Sequence, residues 1–309
     1  SFRNHLRGVD MTGKQLRKIL VGLDGSDRAI SVGKYLGNMA SLKTCDVTLL
    51  SVHDEISQAY RELGRQKQYH AKVSGVVTWE LEQKRKLEKH LDAAKQILMD
   101  NGYPEKSVKV KLKKREHGTA RDILSEAGHG YDAVAVGRKG VSQLREMVLG
   151  SVPIRLMEKL SSIPLMLIGK DAEAGKVLIG FDASENAMRA VHFVGQALKG
   201  SDHPVALLHV VRSDEDELAR DVKADMAQPF DRAKEALAGY HVSSDRIMTQ
   251  ILYGEESRAG AMVREARSGD YGTIALGRRG LSRMEEFFMG RVTSKVAYMA
   301  RGLALWIVN

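Results

Sequence analysis

The sequence predicts an α/β protein built from two tandem doubly wound three-layer α/β/α domains, each with a five-stranded parallel sheet. Three observations predict it. The 309 residues exceed one ordinary core and fit two domains of about 150 residues each. The chain also repeats itself: RKILVGLDGS (17–26) aligns with GKVLIGFDAS (175–184), LLSVH (49–53) with LLHVV (207–211), and YDAVAVGRKG (131–140) with YGTIALGRRG (271–280). Three matches in one order point to a duplication. Within each copy, short unbroken apolar runs alternate with helical periodicity. Strands covered on both faces have that appearance, and strand–helix alternation implies parallel pairing through right-handed crossovers.

In chain order, the run 19–23 is the first strand. Ser26 or Asp27 can cap the helix after it, whose apolar positions Ile30, Gly33, Tyr35, Leu36 and Met39 recur at helical spacing. A second strand covers 47–52, and a polar stretch then runs to Asp100. Its later part reads as an amphipathic helix on Trp79, Leu87, Leu91, Ala94, Ile97 and Leu98. The first copy carries extra length within 55–100, either a longer helix or a lid over the first pocket. Strand 108–112, helix 119–127, strand 133–136, helix 151–160 and strand 165–168 complete it. The second copy's strands fall at 177–181, 206–210, 247–252, 273–276 and 305–308. The small, polar segment 171–176 reads as a linker. The resulting division is an N-terminal extension 1–14, a first domain 15–170, the linker, and a second domain 177–309.

An apolar content of 43% suffices for packed cores and excludes a mainly disordered chain. Cys45 is the sole cysteine, which rules out an intrachain disulfide and a cysteine-based zinc site. A reducing, cytoplasmic setting is the expectation. No run approaches the roughly 20 apolar residues of a membrane helix, and residues 1–18 lack the apolar core of a secretory signal. The net charge of +9 falls entirely within 1–173, leaving 174–309 neutral. An anionic partner is expected, in the first copy.

Ligands of doubly wound sheets bind beyond the carboxyl ends of the strands. There the first copy places Gly137-Arg138-Lys139-Gly140, then nine residues, then Gly150-Ser151 opening a helix. Glycines let backbone N–H groups approach an anion, and a helix N-terminus adds its dipole and open amides. Ser151 adds a hydroxyl donor. Tight turns also use glycines, so the motif alone leaves both readings open. Asp24, at the same rim, can accept from ribose hydroxyls, although Asp-Gly-Ser is also a turn sequence. Val52 can offer main-chain groups to a base edge or be a plain core valine. The second copy keeps Asp182, Val210, Gly277, Gly280 and Gly290 with the same gap. Arg291 replaces the serine, Thr293 keeps a later hydroxyl, and Ala183 replaces Gly25. Arg291 can pair with a phosphate or fill the pocket itself. No His/Asp/Glu set has metal-binding spacing, and neither a Ser-His-Asp elbow nor a Gly-Lys-Ser/Thr loop occurs. No catalytic or metal-binding residue is assigned. The run KVKLKKR (109–115) reads as a recognition patch or as the solvent side of an edge strand.

The Asp-Gly-Ser after strand one, and the Gly-x-x-Gly-x9-Gly-Ser spacing at Gly137, Gly140, Gly150 and Ser151, resemble the universal stress protein family. Two copies from about residue 15 to 309 look like a tandem member. The resemblance implies an adenine nucleotide alpha hydrolase-like fold holding ATP or another adenine nucleotide, with Mg²⁺ as a companion of the nucleotide. It implies Asp24 on the ribose or adenine, the Val52 backbone on the adenine, Gly137 and Gly140 near ribose and phosphates, and Gly150 and Ser151 on the terminal phosphates. Pro153 departs from the family pattern, removing one N–H and replacing one hydroxyl. A stress-response regulatory or protective role follows from the resemblance. So does pairing of the fifth strands, Leu165–Ile168 with Leu305–Val308, within the chain, burying two edges. A homodimer of such chains stays open, and no membrane partner is expected. The alternatives are a slow ATPase or phosphotransfer protein, a nucleotide-free scaffold, and a nucleic-acid binder using the basic first half. The first lacks a visible base, and the last requires steep salt dependence.

Overall fold

Each apolar run that reads as a strand forms one. A computed structural model describes residues 16–26, 28–138, 149–212, 219–279 and 289–309. The first repeat contains β1 (Lys18–Leu23), β2 (Asp46–His53), β3 (Val108–Lys114), β4 (Ala133–Gly137) and β5 (Leu165–Ile168). The second contains β6 (Lys176–Gly180), β7 (Val205–Arg212), β8 (Ile247–Glu255), β9 (Tyr271–Gly277) and β10 (Ala304–Val308). The helices of the first repeat are α1 (Arg28–Asn38), α2 (Gln58–Leu63), α3 (Lys67–Asp100), α4 (Thr119–Ala127) and α5 (Ser151–Lys159). Those of the second are α6 (Glu185–Ala197), α7 (Ala219–Gly239), α8 (Arg258–Ser268) and α9 (Arg291–Met299).

Each repeat is a parallel sheet, ordered β3-β2-β1-β4-β5 in the first and β8-β7-β6-β9-β10 in the second. The two do not stay separate. Antiparallel pairing of β5 with β10, with Met166 opposite Trp306, joins them into one ten-stranded sheet. Every residue of both strands is buried, so leaving them apart would expose apolar faces together with unpaired backbone. Both core layers are likewise shared, each drawing buried side chains from both repeats. In one layer Phe193 packs edge-on against Trp306, with ring centroids 5.5 Å apart. The Tyr35 hydroxyl of α1 lies 2.5 Å from Thr273 Oγ1 of β9, and burial raises its pKa well above the usual value.

The extra length of the first repeat forms α2 and the 34-residue α3. The helix expected around Trp79 begins twelve residues earlier, and Trp79 itself is 54% exposed rather than on the packed face. Glu80 takes the inward direction instead. Its carboxylate binds the Arg61 guanidinium of α2 at 2.8 and 3.0 Å and accepts the Ile56 amide, so a charged residue is buried where an apolar one was expected. Among the described residues no helix is long and apolar enough to cross a membrane.

Candidate functional site

In the second repeat, the carboxyl ends of β6, β7 and β9 and the starts of α8 and α9 surround a cavity of about 590 Å³. Its wall includes Asp182, Val210, Gly277, Gly290, Arg291 and Thr293, residues singled out from sequence and separated by more than a hundred positions. Gly280 and its counterpart Gly140 lie outside the described residues. In the first repeat, Asp24 follows β1, Val52 is the second-last residue of β2, Gly137 ends β4, and Gly150 and Ser151 open α5.

Local bonding follows the duplication closely. Asp182 Oδ1 accepts the Ser184 amide at 3.1 Å, as Asp24 Oδ1 accepts the Ser26 amide at 3.2 Å and its hydroxyl at 2.7 Å. His209 Nδ1 meets the Phe181 carbonyl at 2.9 Å, matching the bond from Ser51 Oγ to the Leu23 carbonyl at 2.9 Å. These contacts fix the turn after the first strand of each repeat to the neighbouring strand. The amides of Gly290 and Gly150 donate to the Arg278 and Arg138 carbonyls at 2.8 and 2.9 Å. Both glycines are helix N-caps without side-chain capping bonds, so α9 and α5 present open first-turn amides. Pro153 occupies that turn of α5, as the sequence suggests. In α9 the Thr293 hydroxyl instead donates to the Gly277 carbonyl at 2.9 Å. Gly277 has a packing reason to be glycine, since a Cβ there would come within 2.6 Å of the Asn186 backbone.

The electrostatics of the second repeat are not those its net charge suggests. The cavity is lined by Arg212, Arg258, Arg279, Arg291 and Lys295 against the carboxylates Asp182 and Glu256. The repeat that is neutral in sum therefore concentrates cations at its rim. On and just after the edge strand of the first repeat, cations are ion-paired: Lys111 with Glu126 at 2.6 Å, Lys114 with Glu55 at 2.6 Å, and Arg115 with Asp54 at 2.9 Å. The run 109–115 lies on an edge strand, β3, with Arg115 just past its end.

Sequence reasoning does not single out Arg212, Arg258, Arg279, Lys295 or Glu256. One signal was present. Arg258 and Arg291 each open a helix, where a cation opposes the helix dipole and a negative charge is the favoured neighbour. Arg258 Nε also donates to the Val210 carbonyl at 3.2 Å, the main-chain group considered for a base edge. Arg138 and Arg278, within the glycine loops, turn away from the rim and are 5% exposed.

Metal-ligating atoms converge at Glu116, His117 and Asp122, within 4.8 Å of one another. Sequence spacing does not suggest the group. Both Asp122 oxygens already accept backbone amides, from Glu116 and His117, each at 3.1 Å. Burial would raise the Asp122 carboxyl, but these bonds and Lys113 hold it below its usual range, which suits a loop clamp.

With this geometry in place, the comparisons give three results. The profile described as the universal stress protein family matches residues 15–168 and 173–301. Solved structures share the fold along nearly the whole chain. A universal stress protein from Archaeoglobus fulgidus has 18% identity and a TM-score of 0.66, with 96% of this chain and 99% of that chain covered. A candidate universal stress protein from Pseudomonas aeruginosa has 16% identity and a TM-score of 0.56, with 96% and 94% covered. Comparison with curated proteins gives no match.

Proposed function

The chain belongs to the universal stress protein family, and from that premise we propose that it binds ATP or another adenine nucleotide, acting as a cytoplasmic stress-response module. The observation that supports this reading is the cation-rich cavity of about 590 Å³ in the second repeat. Its size falls within the usual range for small-molecule sites. In this reading Asp182 accepts from the ribose hydroxyls. The first-turn amides of α9, with Arg291 and Lys295, receive the phosphates. Asp24, Val52, Gly137, Gly140, Gly150 and Ser151 form the corresponding site of the first repeat. Five basic side chains against two carboxylates suit a polyphosphate. A divalent ion such as Mg²⁺ would then be held chiefly by the phosphates, with few protein ligands.

Mass spectrometry of the purified, denatured protein should reveal co-purified adenine nucleotide, and calorimetry with ATP should show saturable binding. Absence of binding at millimolar ATP overturns the reading.

A further inference from the structure

Arg138 and Arg278 occupy equivalent positions in the two glycine loops, and each joins three things. The Arg278 amide donates to the Val308 carbonyl of β10 at 2.6 Å, and its carbonyl accepts the Gly290 amide that opens α9. Its guanidinium crosses to the other repeat. Nη2 donates to the Met157 carbonyl at 2.5 Å and the Glu158 carbonyl at 3.2 Å, and Nη1 to the Leu160 carbonyl at 2.6 Å, all at the C-terminal end of α5. Arg138 is the mirror of this. Its amide donates to the Ile168 carbonyl of β5 at 3.0 Å, its carbonyl accepts the Gly150 amide, and its Nη2 donates to the Ala297 carbonyl near the end of α9.

The helices gripped in this way are the ones whose other ends face the rims. Each has nine residues, about 13 Å of stiff rod, so fixing the last turn also fixes where the first turn points. The terminal carbonyls of a helix are good acceptors for a cation, and a guanidinium fork spans several of them where a lysine cannot. The bonding is unequal. Arg278 also bonds Asn309 Oδ1 at 3.1 Å, whereas Nη1 of Arg138 has no hydrogen-bond partner among the described residues. Asn309 in turn donates to the Ile163 carbonyl at 2.6 Å.

We propose that Arg138 and Arg278 are positioning residues that anchor the last turn of α9 and of α5, respectively, to the glycine loop of the opposite repeat, and so set where each helix's rim-facing first turn points, coupling the two sites. The ligand side of this coupling rests on the nucleotide reading above, but the mechanical side does not. Hydrogen-bond networks and rigid elements of this kind are what carry coupling between sites when both sites bias their arrangement. Because Arg278 makes more bonds, the grip on α5 is the stronger one.

The test is amide exchange by NMR on the full chain, with and without ATP as the probe. Arg278→Gln should accelerate exchange of the Ile154 amide, bonded to Gly150 at the start of α5, several-fold. It should do so with the Ser294 amide of α9 less affected. Arg138→Gln should do the reverse with a smaller change, and Arg278→Lys should fall between wild type and Arg278→Gln. If Arg278→Gln does not fold, the other two variants decide by the same amides. Acceleration confined to the last turn of each helix, with Ile154 and Ser294 unchanged, would reduce the arginines to local caps and overturn the proposal. Accelerated Ile154 exchange in Arg278→Gln, with a wild type that shows no response to ATP, would support the mechanical positioning while sinking the nucleotide reading.

Discussion

At position 183 an alanine holds the left-handed turn that glycine holds at position 25, with φ of +60° and +72° respectively. Left-handed backbone costs an L-residue about 1 kcal/mol or more, partly offset by the lower unfolded-state entropy of alanine. Ala183→Gly should therefore raise the melting temperature slightly or leave it unchanged. Gly25→Ala should lower it clearly, because the new Cβ would also sit about 2.5 Å from Leu87 Cδ2 of α3. Differential scanning calorimetry of the pair distinguishes the two. The same turn is readable from Asp-Gly-Ser in the sequence, but the contact with Leu87 is not, since it joins positions far apart in the chain. Arg291 is the residue-scale test of the rim. A charge-assisted bond contributes about 1.5–3 kcal/mol, so Arg291→Ala should weaken ATP binding roughly tenfold or more by calorimetry.

Among the elements, α3 shows where periodicity fails. Its buried positions near the C-terminal end, Leu91, Ala94 and Leu98, follow helical spacing and are legible. Toward the N-terminal end the packed face continues through Val73 and Glu80, and a glutamate reads as solvent-facing until its partner is known. That partner, Arg61, belongs to a different helix. Arg61→Ala should leave Glu80 short of a counter-charge and loosen α2 from α3, costing about 1–3 kcal/mol locally. Hydrogen exchange should quicken in 56–63 while β1 and β4 keep their protection; uniform loss of protection would contradict this. β3 illustrates the opposite case. Its alternating lysines are legible as an edge strand, yet only the fold shows that Lys111 meets Glu126 of α4.

For the whole molecule, the shared sheet and shared core layers predict one cooperative unfolding transition rather than two. Trp306 is fully buried at the junction, against Phe193 and opposite Met166. Trp306→Ala should destabilise by about 3–5 kcal/mol and shift that single transition, and two resolved calorimetric peaks in the wild type would contradict the shared core. The sequence by itself determined the duplication and the strand positions and singled out part of the rim, including Asp182, Gly277 and Arg291, because these depend on local periodicity and on spacing within short segments. The joining of the two sheets through the fifth strands is expected from the family resemblance and is what the structure has. Only the tertiary structure decided that the cations gather in the neutral repeat, and that Arg138 and Arg278 serve the opposite repeat. Net charge adds over a chain without regard to direction. The field at a site depends on which side chains the fold brings together, and Arg212, Arg258, Arg279 and Arg291 meet only once four separate segments have packed around one cavity.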